Sequence, residues 1–233
     1  MHKELNTAKG LILKYENNNC GNDLQNYLKF FRNNFISDIS NIFYGIYNFI
    51  NKCPNCNSVT NDFNYFNILY FPLDEILKFK SRKMNNNNLA IEVCFKYNEN
   101  YDSISGQSFN YCNNCKKLVK FVYNKYISCC PKVLIINLKR DKEKNSNIKL
   151  NFGEEIDLHK FINPKKDFYK YKLIGIITQI LEYDNVDIIA FVKSFVDNNW
   201  YKYDDINITS SSFKEASNTG IPEILFYSKI NHN

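Results

Sequence analysis

No stretch of this sequence stays apolar for the roughly 18 residues that a membrane-spanning helix needs. The longest apolar segment, around Leu173 to Leu181, is interrupted by Thr178 and Gln179. The opening residues Met1-His2-Lys3-Glu4-Leu5 contain no apolar run of signal-peptide length. These absences exclude a helical membrane protein and predict a soluble intracellular chain, cytoplasmic, nuclear or both. There is no internal repeat and no long linker, which excludes a solenoid and a string of separate domains. Histidine is scarce: His2, His159 and His232 are all there are, and each is expected at a surface or an edge. A strong charge of one sign is missing too. The net charge is +6, with a pI near 8.7, and lysines are scattered rather than banked. Nucleic acid is therefore not the expected partner, although a mildly basic field suits an acidic one.

What the sequence does have is enough apolar matter for a core. Of 233 residues, 44% are hydrophobic and 23% charged, which suits one large domain or two intimately joined subdomains. The Asn runs at Asn17 to Asn19 and Asn85 to Asn88 predict solvated connections, because Asn favours turns. Asp23 to Phe35 reads as a helix: Leu24, Tyr27, Leu28 and Phe31 repeat at i, i+3, i+4, i+7, behind a possible Asn22 N-cap. Ile36, Ile39 and Phe43 suggest a further helical turn or two ending at Gly45. Strands are expected at Val59 to Phe71, Leu89 to Phe95, Leu118 to Ile127, Val133 to Leu138, Tyr171 to Ile180, Val186 to Lys193, Trp200 to Tyr203 and Glu223 to Lys229. Val133 to Leu138 is almost continuously apolar and is expected to be a central strand covered on both faces. The fold class is α+β, helices first and then a mostly antiparallel β region.

Eight cysteines in a reducing compartment suggest thiols or metal ligands rather than disulfides. Cys53-Pro54-Asn55-Cys56 and Cys112-Asn113-Asn114-Cys115 are two Cys-x-x-Cys knuckles. Each puts two thiols on one tight turn. Four thiolates fill the tetrahedral shell of Zn²⁺ and leave no place for a reacting water, so the expected cofactor is one structural zinc. The knuckles lie far apart in sequence and must sit at strand ends that return to each other. Cys20, Cys94, Cys129 and Cys130 show no such spacing and are expected as buried, apolar-like thiols.

An ordered series of segments surrounds these knuckles. Ile42-Phe43-Tyr44-Gly45 precedes the first, and Phe63-x-x-Phe66-x-x-Leu69 follows it. Tyr111-Cys112 opens the second. Then come Pro131-Lys132-Val133-Leu134 to Leu138-Lys139-Arg140, Tyr171 to Ile177, Trp200-Tyr201-Lys202-Tyr203-Asp204-Asp205 and Ile224-Leu225-Phe226-Tyr227. In order and spacing the series resembles the ubiquitin-specific proteases, over roughly Gly10 to Tyr227. The resemblance implies a papain-like cysteine-peptidase fold across residues 1–233. A reduced helical thumb would occupy about 10–45, zinc-bearing β fingers about 46–130 and a β palm about 131–230. It implies ubiquitin or a ubiquitin-like protein as partner. It also implies chemistry by a thiolate nucleophile, a histidine base, an orienting Asp or Asn and an oxyanion amide.

The residues at those catalytic positions differ from the pattern. The family's cysteine box fits Gly10-Leu11 through Leu24-Gln25 without a gap. That fit puts Asn18 at the nucleophile and Leu13 at the oxyanion amide. Seventeen positions before Asp204, where the resemblance requires histidine, stands Asp187. Asp204 alone keeps its family type. An amide is no substitute for a thiolate, and an Asp beside another Asp lacks a base's near-neutral pKa. Only 27 residues separate Gln25 from Cys53, fewer than the family's thumb uses. The expectation is a catalytically inactive pseudoprotease that binds ubiquitin or another protein as a scaffold. The first alternative is an active cysteine-type deubiquitinase with a shifted nucleophile, Cys20. The second is a zinc-ribbon nucleic-acid binder.

Overall fold

The computed structural model describes Leu24, residues 26–29, 37–80, 87–99, 109–141, 148–162, 169–182 and 185–230. Asn18, Leu13, Cys20, His2 and His232 lie outside the described residues, as does the Gly10-to-Gln25 frame apart from Leu24. The chain divides into two compact units. One comprises Met1–Phe66, Glu99–Cys130 and Ile162–Pro164; the other comprises Asn67–Asn98, Pro131–Phe161 and Lys165–Asn233.

In the first unit, Leu24 and residues 26–29 are helical, as the 3.6-residue period predicts. Tyr27 packs on Phe63 and Ile46, with Leu24 and Leu28 beside them, so the i, i+3, i+4 face is the buried one. Helix α1 (Asp38–Phe43) is closed at its start by a reciprocal pair: Ser40 N–H donates to Ser37 Oγ and Ser37 N–H donates to Ser40 Oγ. Strand β1 (Gly45–Lys52) then pairs antiparallel with β2 (Val59–Phe66) on one side and β7 (Val122–Cys129) on the other. Gly45 is required by close approach. A Cβ there would lie 2.4 Å from the Phe66 ring and 2.8 Å from the Cys129 carbonyl oxygen. Strands β5 (Phe109–Cys112) and β6 (Lys117–Lys120) make a separate two-stranded ribbon.

The second unit is built on a large sheet. Its strands are β3 (Ile68–Pro72), β8 (Val133–Lys139), β11 (Lys170–Glu182), β12 (Asn185–Lys193), β13 (Trp200–Asp204), β14 (Asn207–Ser211) and β15 (Ile221–Lys229). They run in the order β14-β13-β12-β11-β15-β8-β3, with the short strand β10 (Glu155–Asp157) also on β11. All these pairings are antiparallel except β3 with β8. Strands β4 (Asn88–Ala90) and β9 (Lys149–Asn151) form a short parallel pair. Helices α2 (Leu73–Lys80), α3 (Ile91–Glu99) and α4 (Phe213–Asn218) complete the unit. One sheet face is thoroughly buried. It carries Leu69, Phe71, Leu134, Ile136, Leu138, Ile176, Phe191, Leu225 and Tyr227.

The architecture is mixed α+β, mostly sheet, as expected. Several local expectations need correction. Leu89 to Phe95 is not one strand: only Asn88–Ala90 is extended, and Ile91 starts α3. Its β-branched and aromatic residues suit a strand, but Ile91, Cys94 and Phe95 are buried at helical spacing. Val59 to Phe71 breaks at Asn67 into β2 and β3, and Leu118 to Ile127 breaks at Phe121. Val133 to Leu138 is fully covered on one face only. Leu134, Ile136 and Leu138 are buried, whereas Val133, Ile135 and Asn137 are half-buried. Phe226 and Ala190 are half-buried on that second face for the same reason: period 2 sends them away from Leu225 and Phe191. Cys94 is buried, but Cys129 and Cys130 are half-exposed.

Candidate metal centre and candidate catalytic strands

The first knuckle caps the β1–β2 hairpin, and the second joins β5 to β6. Both use the same backbone device. Asn57 N–H donates to Cys53 C=O at 2.9 Å, and Lys116 N–H donates to Cys112 C=O at 2.8 Å. Asn57 and Lys116 both take left-handed backbone, with φ of 57° and 56°. That conformation turns the chain so that the second cysteine faces the first. Asn adopts it readily and Lys does not.

The fold brings all four sulfurs together. Cys53 Sγ lies 3.8 Å from Cys115 Sγ, and Cys56 Sγ lies 3.7 Å from Cys112 Sγ. The four ligand atoms lie within 4.8 Å of one another. A tetrahedron with Zn–S bonds of about 2.3 Å has edges of about 3.8 Å, so the donor set and its spacing fit one Zn²⁺. Cys53 and Cys112 are buried, Cys56 and Cys115 half-buried. Phe121, Val119 and Tyr123 pack around them. With four sulfurs on the ion no site remains for water, so the metal would brace strands rather than catalyse.

The protons on this cluster are unevenly held. Burial pushes the Cys53 thiol up to about 11. The Ser58 hydroxyl, then the Asn114 side chain, pull Cys56 down to about 5. Backbone N–H groups, Cys115 first, lower Cys112. Cys56 and Cys112 thus favour the thiolate that a metal needs. Ser58 and Asn114 were not singled out in the sequence. The signal was their position, one just after the first knuckle and one inside the second, but Asn is so abundant here that it reads as loop filler.

The candidate catalytic strands belong to the large sheet. Asp187 is exposed near the start of β12, opposite Ile180 of β11. Asp204 closes β13 and pairs with Asn207 of β14. The β12–β13 ladder runs to Ala190–Tyr203. One step further Asp204 stands level with Ile189, two residues from Asp187. The pleat therefore points both carboxylates to one sheet face, as diagonal neighbours. Asp204 is also answered by Lys202, whose Nζ lies 2.9 Å from Oδ2. The only histidine among the described residues, His159, is elsewhere. It is exposed in a short 3₁₀ turn, with its backbone N–H on Asp157 Oδ1. The far end of β12 and β13 is held by an ion cluster: Glu154 Oε1 accepts Trp200 Nε1–H at 2.9 Å and Lys193 Nζ–H at 3.2 Å.

Comparison with known proteins places this architecture. The family model described as ubiquitin carboxyl-terminal hydrolase matches residues 12–227. Among curated proteins, ubiquitin carboxyl-terminal hydrolase 5 of Schizosaccharomyces pombe is 33% identical over 96 residues, 37% of this chain and 9% of that protein. Ubiquitin carboxyl-terminal hydrolase 12 of Saccharomyces cerevisiae is 29% identical over 130 residues, 50% of this chain and 10% of that protein. The matched part is thus about a tenth of those relatives. Among solved structures, the SAGA DUB module Ubp8/Sgf11/Sus1/Sgf73 bound to monoubiquitin superposes with a TM-score of 0.64 at 20% identity, covering 91% of this chain and 47% of that one. The same module bound to ubiquitin aldehyde gives 0.64 at 19% identity, covering 91% and 48%. No helix among the described residues is long and apolar enough to cross a membrane.

Proposed function

The chain belongs to the ubiquitin carboxyl-terminal hydrolase family, and from that premise we propose that it is a pseudoprotease: a ubiquitin-specific-protease-like domain that binds ubiquitin, or another protein, without cutting it. Residues 1–233 act as one such domain, in the cytoplasm, the nucleus or both. The observation that carries the proposal is Asp187. It occupies the strand position where the family resemblance requires an imidazole, two residues from the level of Asp204. A carboxylate there is a poor proton acceptor at neutral pH, and it adds negative charge where an oxyanion would develop. Asn18 at the nucleophile's position supplies no thiolate, and Leu13 supplies no donor for the oxyanion. Loss of one oxyanion donor alone costs about 10²–10³ in rate.

Ubiquitin as ligand is supported by family membership, and Ubp8 has been solved bound to monoubiquitin. A second protein partner is supported by the Sgf11, Sus1 and Sgf73 subunits present with Ubp8 in that module; here the partner is proposed only as a protein.

The test uses a fluorogenic ubiquitin-tail substrate and a thiol-directed ubiquitin suicide probe. The expected outcome is no turnover and no labelling, together with saturable ubiquitin binding by calorimetry. Turnover that disappears in Cys20→Ala would establish the shifted nucleophile instead. A salt-sensitive shift with oligonucleotides, without ubiquitin binding, would favour the zinc-ribbon alternative. The double variant Asn18→Cys with Asp187→His is expected to stay far below normal family activity, since Leu13 and the short thumb segment are unchanged.

A further inference from the structure

The metal site has two side chains that are not ligands yet touch the ligands across it. Ser58 Oγ lies 3.1 Å from Cys56 Sγ, in its own knuckle, and 3.5 Å from Cys112 Sγ, in the other. Asn114 works in the reverse direction: from the second knuckle its side-chain amide donates to Cys56 of the first. Ser58 is not free to wander. Its carbonyl accepts Cys53 N–H at 2.9 Å, and Asn57 before it is fixed in the left-handed turn. The arrangement is not a general consequence of a knuckle. The position in the second knuckle that matches Ser58 is Lys117, an exposed residue without a hydroxyl.

We propose that Ser58 and Asn114 are positioning residues for the bound metal, crossed donors that hold Cys56 and Cys112 at ligating separation and share the charge of their thiolates. The inference rests on the zinc assignment of the four cysteines. A Zn²⁺ in four thiolates carries about two negative charges in excess. Donors to sulfur spread that charge and fix each side chain's rotamer, which is how outer-shell groups tune a metal site. The Ser58 hydroxyl has one proton. It bonds one sulfur at a time and stays within reach of the second, so it ties two knuckles that are 56 positions apart in sequence. Cys53 and Cys115 have no such side-chain donor among the described residues, and they lean on each other at 3.8 Å.

The experiment measures Zn²⁺ affinity of the full chain by chelator competition, and the thiolate-to-metal absorption of the Co²⁺ form. Ser58→Ala is expected to weaken Zn²⁺ binding about 10–100-fold and to shift the Co²⁺ charge-transfer band. Ser58→Thr keeps the hydroxyl and is expected near wild type. Asn114→Ala is expected to weaken binding in the same direction. Wild-type affinity, within about twofold, in both alanine variants would overturn the proposal while leaving the zinc site standing. A wild-type chain that binds no zinc would instead remove the zinc assignment, and this proposal with it. If Ser58→Ala does not fold, Asn114→Ala and Ser58→Thr decide: loss in the first with retention in the second supports the crossed donors, and equal affinity of Asn114→Ala and wild type overturns them.

Discussion

The two knuckles and the strands around Asp187 and Asp204 are both sites on β scaffolds of one family fold, and they have fared differently. At the knuckles every ligand type is present, and the backbone turns that aim them are duplicated to within a degree of φ. On β12 and β13 the scaffold is equally regular, with strand pairing uninterrupted through Ala190–Tyr203, but on the alignment proposed above an acid, Asp187, stands where the family pattern needs an imidazole. Scaffold and chemistry are therefore separable. Hydrogen-bonded pairing and alternate burial of Ile189 and Phe191 hold the strand in register whatever residue occupies position 187. A four-thiolate metal site has no such tolerance, because each missing ligand opens the shell, and its binding energy is also folding energy.

The sharpest way to break this comparison is to remove one metal ligand. Cys112→Ala leaves three thiolates and is expected to abolish stoichiometric zinc. It should destabilise the β1–β2–β7 unit by several kcal/mol, read as metal content of about zero against about one per chain and as proteolysis between residues 45 and 66. A variant that loses its metal but keeps wild-type hydrogen exchange in β1 and β2 would show that the strands do not need the knuckles. Leu134→Ala is the corresponding strike on the large sheet. Its side chain is buried, and it pairs with the buried Tyr227 of β15. Truncation is expected to cost about 2–5 kcal/mol in chemical denaturation, without changing zinc content. A loss below about 1 kcal/mol would mean that the β8 core closes over the missing atoms.

A smaller effect separates the two ends of β12 and β13. Glu154 is held below the ordinary carboxylate range, first by the Trp200 indole N–H and then by Lys193. Its folded pKa is depressed, so its contribution is present above the unfolded value of about 4.3. It is lost as pH falls through that value towards the folded one. Glu154→Gln is expected to flatten the pH dependence of stability over that acid range and to change little at pH 7 and above. An unchanged acid limb would show that the cluster is stabilised by packing of Lys193 against Trp200 alone.

Much of the large sheet could be read from residue order. β8, β11, β12, β13 and β15 fall within a few residues of the segments that predict them, because runs of β-branched and aromatic residues bounded by polar loops mark strands. The helices are another matter. α2 went unnoticed although Asp74 and Glu75 open it and Lys78 and Lys80 close it, in line with the helix dipole. In α3, strand propensity was a false guide, and the i, i+3, i+4 burial of Ile91, Cys94 and Phe95 was the better signal. The metal ligands were legible because two exact spacings leave few alternatives. Their supporting donors were not, since Ser58 and Asn114 gain meaning only when two distant turns meet. Asp187 could be flagged only through the family's spacing to Asp204; nothing in its local pattern marks it.

The least of the expected effects tests the duplication itself. Asn57 and Lys116 do the same job at nearly the same φ, yet only Asn tolerates left-handed backbone cheaply, through its short polar side chain. For Lys the Cβ contacts of that conformation cost roughly 1–2 kcal/mol, held in place by the Lys116 N–H bond to Cys112 C=O. Glycine removes the Cβ but loses more backbone entropy on folding, about 0.5–1 kcal/mol. Lys116→Gly is therefore expected to stabilise the second knuckle by at most about 1 kcal/mol, and Asn57→Gly to be neutral or slightly destabilising. Melting of the zinc-loaded protein measures both. If Lys116→Gly destabilises, the Lys116 side chain contributes something that offsets its backbone strain, and the two knuckles are alike in shape but not in what holds them.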